Sequence, residues 1–231
     1  MNEDHFKNSE KTWNLIAKSF DNTRKKPWNI CLEYINNLKK ESVVADFGCG
    51  NGRHLIPCAK HCKKVYGIDI SKKLLDIVKR KIEKQKITNV ELIHSNLVKI
   101  PLKDRSVDSI IFIAALHNIK KRKNRIKALS ELKRVLKKDK IAMISVWSRW
   151  QEKFRIEFLK KFFLIDNKNE FGDIDIYWTQ NNLNIPRFYH LYSKKEFEKD
   201  IKKAGLEIIE IKSVKLSSKK YADNYFAIVK S

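Results

Sequence analysis

The chain has few of the residues that interrupt or staple a fold: six glycines, four prolines and four cysteines in 231 residues. With so little Gly and Pro, no Ser/Gly-rich stretch and no repeat period, nothing marks a linker, and one domain over residues 1–231 is the expectation. Cys31, Cys49, Cys58 and Cys62 are too few for a disulfide framework in a chain of this length, which fits a reducing compartment. No run of 18 apolar residues occurs, and the N-terminal MNEDHFKNSEKTW has no apolar leader region. A soluble, cytoplasmic protein is therefore expected, without membrane contact. Acidic residues are scarce as well, 27 Asp and Glu against 50 Lys and Arg, for a formal net charge of +23. At 42% hydrophobic and 10% aromatic the chain is nevertheless no disordered basic tail. The charge has two readings, a polyanionic partner or the Lys-, Asn- and Ile-rich usage of an AT-rich coding sequence. Charge alone does not choose between them.

Periodicity supplies the fold class. Helical spacing is read at Thr12 to Phe20 (Trp13, Ile16, Phe20) and again from Pro27, a favoured first-turn residue. After residue 41, short β-branched runs alternate with longer amphipathic stretches, the pattern of βαβ units. Strands are expected at 43–47, 64–68, 90–94, 109–114 and 141–147, with helices near 52–61, 72–84 and 123–136. An amphipathic stretch at 150–164 puts Phe154, Phe158 and Phe162 on one stripe, followed by a polar, Asn-rich connector to about Pro186. Then come a strand-like RFYHLY, a helix opened by the capping box Ser193/Glu196 and closed by Gly205, and two β-rich segments at 207–213 and 225–229. This order implies an α/β fold with a mostly parallel sheet and one antiparallel strand.

The strongest local signal is VVADFGCGNG at 43–52, a hydrophobic strand running into Gly48, Gly50 and Gly52 and then a helix. Glycine at such spacing lets backbone approach a ligand or take positive φ. The spacing is not that of dinucleotide sites, and no Gly-Lys-Ser/Thr follows, which counts against NAD and P-loop readings. Asp46 precedes the loop and Asp69 ends the next strand, where a carboxylate can accept from both hydroxyls of a ribose. Together these features resemble the motif set of class I S-adenosylmethionine-dependent methyltransferases. The resemblance implies a Rossmann-like sheet of seven strands with helices on both faces and S-adenosylmethionine as cofactor. It places the cofactor on Asp46, Gly48, Gly50, Asn51 and Gly52, on Asp69 and Ile70, on Asn96 and Leu97, and on Ala114. Two positions depart from the family: Asn96 stands where it usually has Asp, and KKDK at 137–140 where it usually has Pro-Gly-Gly.

Four further segments, FDNTRKKPW (20–28), FIAALHN (112–118) with the basic RKNRIKALSELKRVL, ISVW (144–147) and PRFYHLYSKKEFEKDIKKAGLEI (186–208), resemble one family. It is the eukaryotic wobble-uridine tRNA methyltransferases, which esterify the 5-carboxymethyl group of the anticodon's first base. The resemblance implies that Arg24 holds the substrate carboxylate and that His117 orients an oxygen or contacts the base. Thr23, Lys26 and Arg187 would meet substrate or phosphate, and Trp28, Tyr189 and His190 would stack on a splayed base. Trp28, Tyr189 and His117 could equally be core or strand-end residues. Departures are Asn118, where the family has a second His, and Asn224-Tyr225-Phe226, where it tends to Asn-Trp-Trp. The implied partners are the tRNA anticodon loop and a small zinc-binding activator, paired through the edge strand 90–94. No metal is expected in this chain, because His54, Cys58, His61 and Cys62 crowd one short helix whereas structural zinc joins two separated pairs. Two alternatives stay open: a small-molecule O- or C-methyltransferase on the same fold, and a non-catalytic tRNA-binding pseudoenzyme.

Overall fold

A computed structural model describes residues 3–161 and 169–231. Seven strands form one sheet: β1 (Val43–Phe47), β2 (Lys64–Asp69), β3 (Val90–His94), β4 (Val107–Ile113), β5 (Leu136–Trp147), β8 (Glu207–Val214) and β9 (Asn224–Lys230). Their order is β3-β2-β1-β4-β5-β9-β8, with β9 alone antiparallel to its neighbours. β1, β2 and β4 are apolar on both faces, as a sheet covered on both sides requires.

One face packs α2 (Asn29–Asn36), α3 (Leu55–His61) and α4 (Lys72–Lys84), around Val44, Val65 and Ile111. The other packs α5 (Arg122–Val135) and α7 (Lys194–Lys203), around Ala45, Ile110 and Ile144. This is the expected Rossmann-like arrangement. Local sequence sets the helix ends: the Ser71 hydroxyl accepts from Leu74 N at 3.2 Å to cap α4, and Ser193 does the same for Glu196 N at α7. The capping box at α7 is only half formed, because the Glu196 carboxylate turns to His190 and Arg149 instead.

The structure corrects four expectations. The N-terminal helix is longer, α1 (Glu3–Thr23), and lies against α4. The helix after the glycine loop starts at Leu55, because residues up to Gly52 form a turn with Gly52 at φ +80°. KKDK is not a turn between helix and strand: β5 begins at Leu136 and bulges through it, with Asp139 at φ 60°. Finally, the polar, Asn-rich connector, to which the sequence assigned no element, contains a strand. After α6 (Glu152–Lys161), β6 (Asp173–Trp178) pairs antiparallel with β7 (Ile185–His190), so RFYHLY joins a separate two-stranded sheet and not the main one. Phe154 and Phe158 of α6 are buried against this hairpin; Phe162 and Leu164 lie outside the described residues.

Candidate functional site

The carboxyl ends of β1, β2, β4 and β5 open into a cavity of about 1100 Å³, roofed by α1 and walled on one side by the β6–β7 hairpin. Carboxyl ends of a parallel sheet are where such folds bind ligands, and the volume exceeds what one drug-sized ligand needs.

The glycine loop forms one end. Gly48 sits at φ +70°, and a Cβ there would come within 2.4 Å of the Ala115 Cβ, so only glycine fits. Gly50 N donates to Asp69 Oδ2 and Ser71 N to Asp69 Oδ1, both at 2.8 Å. This shapes the loop and leaves each oxygen a second lone pair, which a diol can use. Asp46 is 3% exposed, and its Oδ2 has no partner. Burial, and then the neighbouring Asp69 charge, push its pKa up to about 8. Gly52 does not line the cavity; it packs on Val78. Asn51 lines it, but its amide is spent on Asp21 Oδ1 and Arg24 O, both at 2.9 Å, tying the loop to α1. Ile70, Asn96, Leu97 and Ala114 also line this end. Asn96 Oδ1 already accepts from Val98 N at 3.0 Å, so one lone pair remains for a ligand.

At the other end His117 is 1% exposed and packs in a three-ring cluster with Tyr189 and Trp147, at centroid distances of 5.3 and 5.4 Å, while those two rings stack on each other at 5.0 Å. Its Nδ1 accepts from Trp147 N at 3.0 Å, which leaves the ring proton on Nε2. Burial, followed by the charges of the His190 and Arg187 side chains, lowers its pKa to about 3, so the ring is a neutral donor. Arg187 is 7% exposed, with its guanidinium 4.8 Å from the Trp178 ring and its Nη1 donating to Tyr189 Oη at 2.6 Å. Arg24 approaches the same Trp178 ring at 5.4 Å. Among the described residues neither arginine meets a carboxylate, and burial presses the Arg187 pKa down.

Thr23 and Lys26 are exposed at the rim, Thr23 donating back to Ser19 O at 3.1 Å to close α1. Trp28 lines the cavity with the Arg53 guanidinium 4.4 Å above its ring. His190 corrects the sequence reading. It is fully buried outside the cavity, Nδ1 2.7 Å from Asp173 Oδ1 and Nε2 2.9 Å from Glu196 Oε1, and stacks on nothing that enters. His190 lies on the face opposite Arg187 and Tyr189 and at the far end of the hairpin, where it pairs with Asp173 and turns to Asp173 and Glu196 instead of the cavity.

Four contributors escaped the sequence reading. Arg53 is half-buried, lines the cavity, and has neither a hydrogen bond nor a carboxylate among the described residues. Trp178 lies in the polar, Asn-rich connector, to which the sequence assigned no element. Asn118 and Asn224 were noted only as family departures, yet each presents a buried, unpartnered Oδ1. The buried side-chain atoms without partners among the described residues are Asp46 Oδ2, Asn118 Oδ1, Arg187 Nε and Asn224 Oδ1, and all four belong to residues lining this cavity. Buried polar groups are otherwise satisfied in folded proteins, so this concentration marks a ligand site. The Cys58/Cys62 helix packs in the core, and His61 Nε2 bonds Leu38 O at 2.7 Å.

Residues 45–144 match the family described as a methyltransferase domain. The Mus musculus tRNA (carboxymethyluridine(34)-5-O)-methyltransferase ALKBH8 is 33% identical over 148 residues, 63% of this chain and 21% of that protein. The aligned segment thus spans about a fifth of the relative's length. Among solved structures, a SAM-dependent methyltransferase from Methanosarcina mazei superposes with TM-score 0.74 at 20% identity, covering 89% of this chain and 98% of that one. A Haloferax volcanii methyltransferase solved in complex with the Trm112 methyltransferase activator superposes with TM-score 0.67 at 14% identity, covering 96% and 95%.

Proposed function

We propose that this chain is a class I S-adenosylmethionine-dependent methyltransferase related to the wobble-uridine tRNA methyltransferases, and that it esterifies the 5-carboxymethyl group of the wobble uridine in a tRNA anticodon. The observation that carries the reading is the pair Arg24 and Arg187: two guanidiniums against one Trp178 ring, without a carboxylate partner, beside the neutral His117. A cavity wall of that kind is short of one anion, and a substrate carboxylate meets the need with bidentate, charge-assisted bonds.

The chemistry supplied by S-adenosylmethionine when bound is an electrophilic methyl group on a sulfonium. A carboxylate has a reference pKa of about 4 and is ionised at neutral pH, so its oxygen would accept that methyl group, with the sulfur leaving as a neutral thioether, and the protein would need no base. The neutral His117 suits this, because it has no proton to take and offers Nε2–H to hold the second carboxylate oxygen. Arg24 and Arg187 fix the carboxylate, and the closed wall of Trp147, Tyr189 and Trp178 excludes water; such positioning contributes several kcal/mol to a rate. At the glycine loop, Asp69 would receive the ribose, and Asp46 the cofactor's ammonium group. The half-buried, unpaired Arg53, beside Asp46, would take the cofactor's carboxylate.

The RNA would be steered by exposed lysines on the rim, Lys25, Lys26 and Lys120. For the activator, β3 is the candidate seat: it is an edge strand of the main sheet, and edge strands pair readily with a second chain. Full activity from a soluble chain purified without any partner would contradict that part.

Arg187→Met and Arg24→Ala test the reading. Each should lower kcat/KM on carboxymethylated tRNA by about 10- to 100-fold, the loss expected for a hydrogen bond to a charged group. Cofactor affinity by calorimetry should stay within about two-fold. Native rates in both variants would remove the assignment.

A further inference from the structure

The outer face of the β6–β7 hairpin leaves an aromatic strip in solvent at the cavity mouth. Register pairs Tyr177 with Pro186 and Asp175 with Phe188, so these four share the face opposite Trp178, Arg187 and Tyr189. Tyr177 is 53% exposed, and its hydroxyl has no hydrogen bond among the described residues. Phe188 is half-buried with the Lys120 Nζ 5.5 Å from its ring centre. All four residues and Lys120 line the cavity, so the strip continues from the site onto the surface.

We propose that this strip is a stacking platform for an unpaired RNA base next to the nucleotide held in the cavity, with Tyr177 as its main face. The inference rests on the proposed tRNA substrate and extends it from one nucleotide to its neighbour. Aromatic faces flanked by cations are how single strands are held without sequence readout. The charge is complementary: exposed Lys25, Lys26, Lys120 and Lys153 stand on the rim, against one exposed carboxylate, Asp175. Asp175 beside Phe188 repels phosphate and accepts from base N–H groups, so it favours a base over this point and keeps the backbone toward the lysines.

The test is binding of a fluorescein-labelled anticodon stem-loop RNA by anisotropy to the full chain and to Tyr177→Ala, Tyr177→Trp and Phe188→Leu, with cofactor affinity measured in parallel. Tyr177→Ala should weaken RNA binding about 5- to 100-fold, the range for loss of one stacked base. Tyr177→Trp should restore it, and cofactor affinity should not change. RNA affinity unchanged in Tyr177→Ala, or weakened equally in Tyr177→Trp, overturns the platform. Because binding is read without catalysis, a Tyr177-dependent RNA complex that yields no wobble ester would instead count against the proposed reaction and leave the platform standing.

Discussion

Asp46 shows at the scale of one residue how a binding site works against stability. A carboxyl with pKa near 8 in the fold and about 4 when unfolded keeps a proton that the unfolded chain releases, so folding stability falls as pH rises across that window. Asp46→Asn removes the cost. In the absence of cofactor it should raise the melting temperature by a few degrees at pH 8 and by less at pH 5, measured by differential scanning fluorimetry, while weakening S-adenosylmethionine binding at least about ten-fold. A melting temperature that drops equally at both pH values would show that the side chain is needed for packing alone. Asp46, Gly48 and Asp69 were legible in the sequence because backbone at positive φ and a buried carboxylate need particular residue types. Arg53 was not, since an arginine after a glycine loop is most often a solvated surface residue, and only burial and the lack of a partner distinguish it. Asn224 likewise acquires meaning only from an acceptor atom left unpaired.

At the scale of elements, α1 and the β6–β7 hairpin close the cavity that the sheet opens. α1 is tied down by Asn14, which accepts from Ser71 Oγ at 2.7 Å, and by Asp21, which joins Asn51 and Lys81 at 2.9 and 2.5 Å. Ser19 Oγ accepts from Trp178 Nε1 at 2.8 Å and so links roof to hairpin. Asp21→Ala leaves the Asn51 amide only Arg24 O and the Lys81 ammonium only Asn51 O as partners. Cofactor affinity should fall about 3- to 10-fold, with little change in melting temperature because the ion pair is partly exposed; an unchanged affinity would mean the roof does not depend on this tie. The parallel strands were readable as β-branched runs of the right length. β6 was not read, although DIDIYW alternates polar and apolar residues as a half-buried strand does, because the Asn-rich sequence around it outweighed so short a signal. RFYHLY read as a strand but not as a member of a second sheet, a choice made by long-range contacts such as His190 with Asp173 and Glu196.

At the scale of the molecule, the +23 charge divides into parts with different work. Some of it is internal structure. Lys81, remote from the mouth by sequence, is engaged by Asp21 and by Asn51 O, and Arg125 is fully buried against Tyr192 and Glu170. Some of it lies on the rim. Replacing Lys25 and Lys26 together by Ala should lower tRNA affinity and reduce the salt slope of log K by about 2, whereas Lys79 and Lys84, exposed on α4, should change neither. Equal effects from both pairs would assign binding to diffuse charge and not to the cavity mouth. Methyl esterification of a wobble carboxymethyl group is read out by mass spectrometry of nucleosides from carboxymethylated tRNA. The tRNA is incubated with S-adenosylmethionine and the protein, with the proposed activator supplied. The predicted result is conversion of 5-carboxymethyluridine to a product heavier by one methyl group that returns to the starting acid on mild alkaline hydrolysis. A cofactor-bound protein that leaves this nucleoside unchanged, or that methylates tRNA lacking the carboxymethyl group equally well, would contradict it.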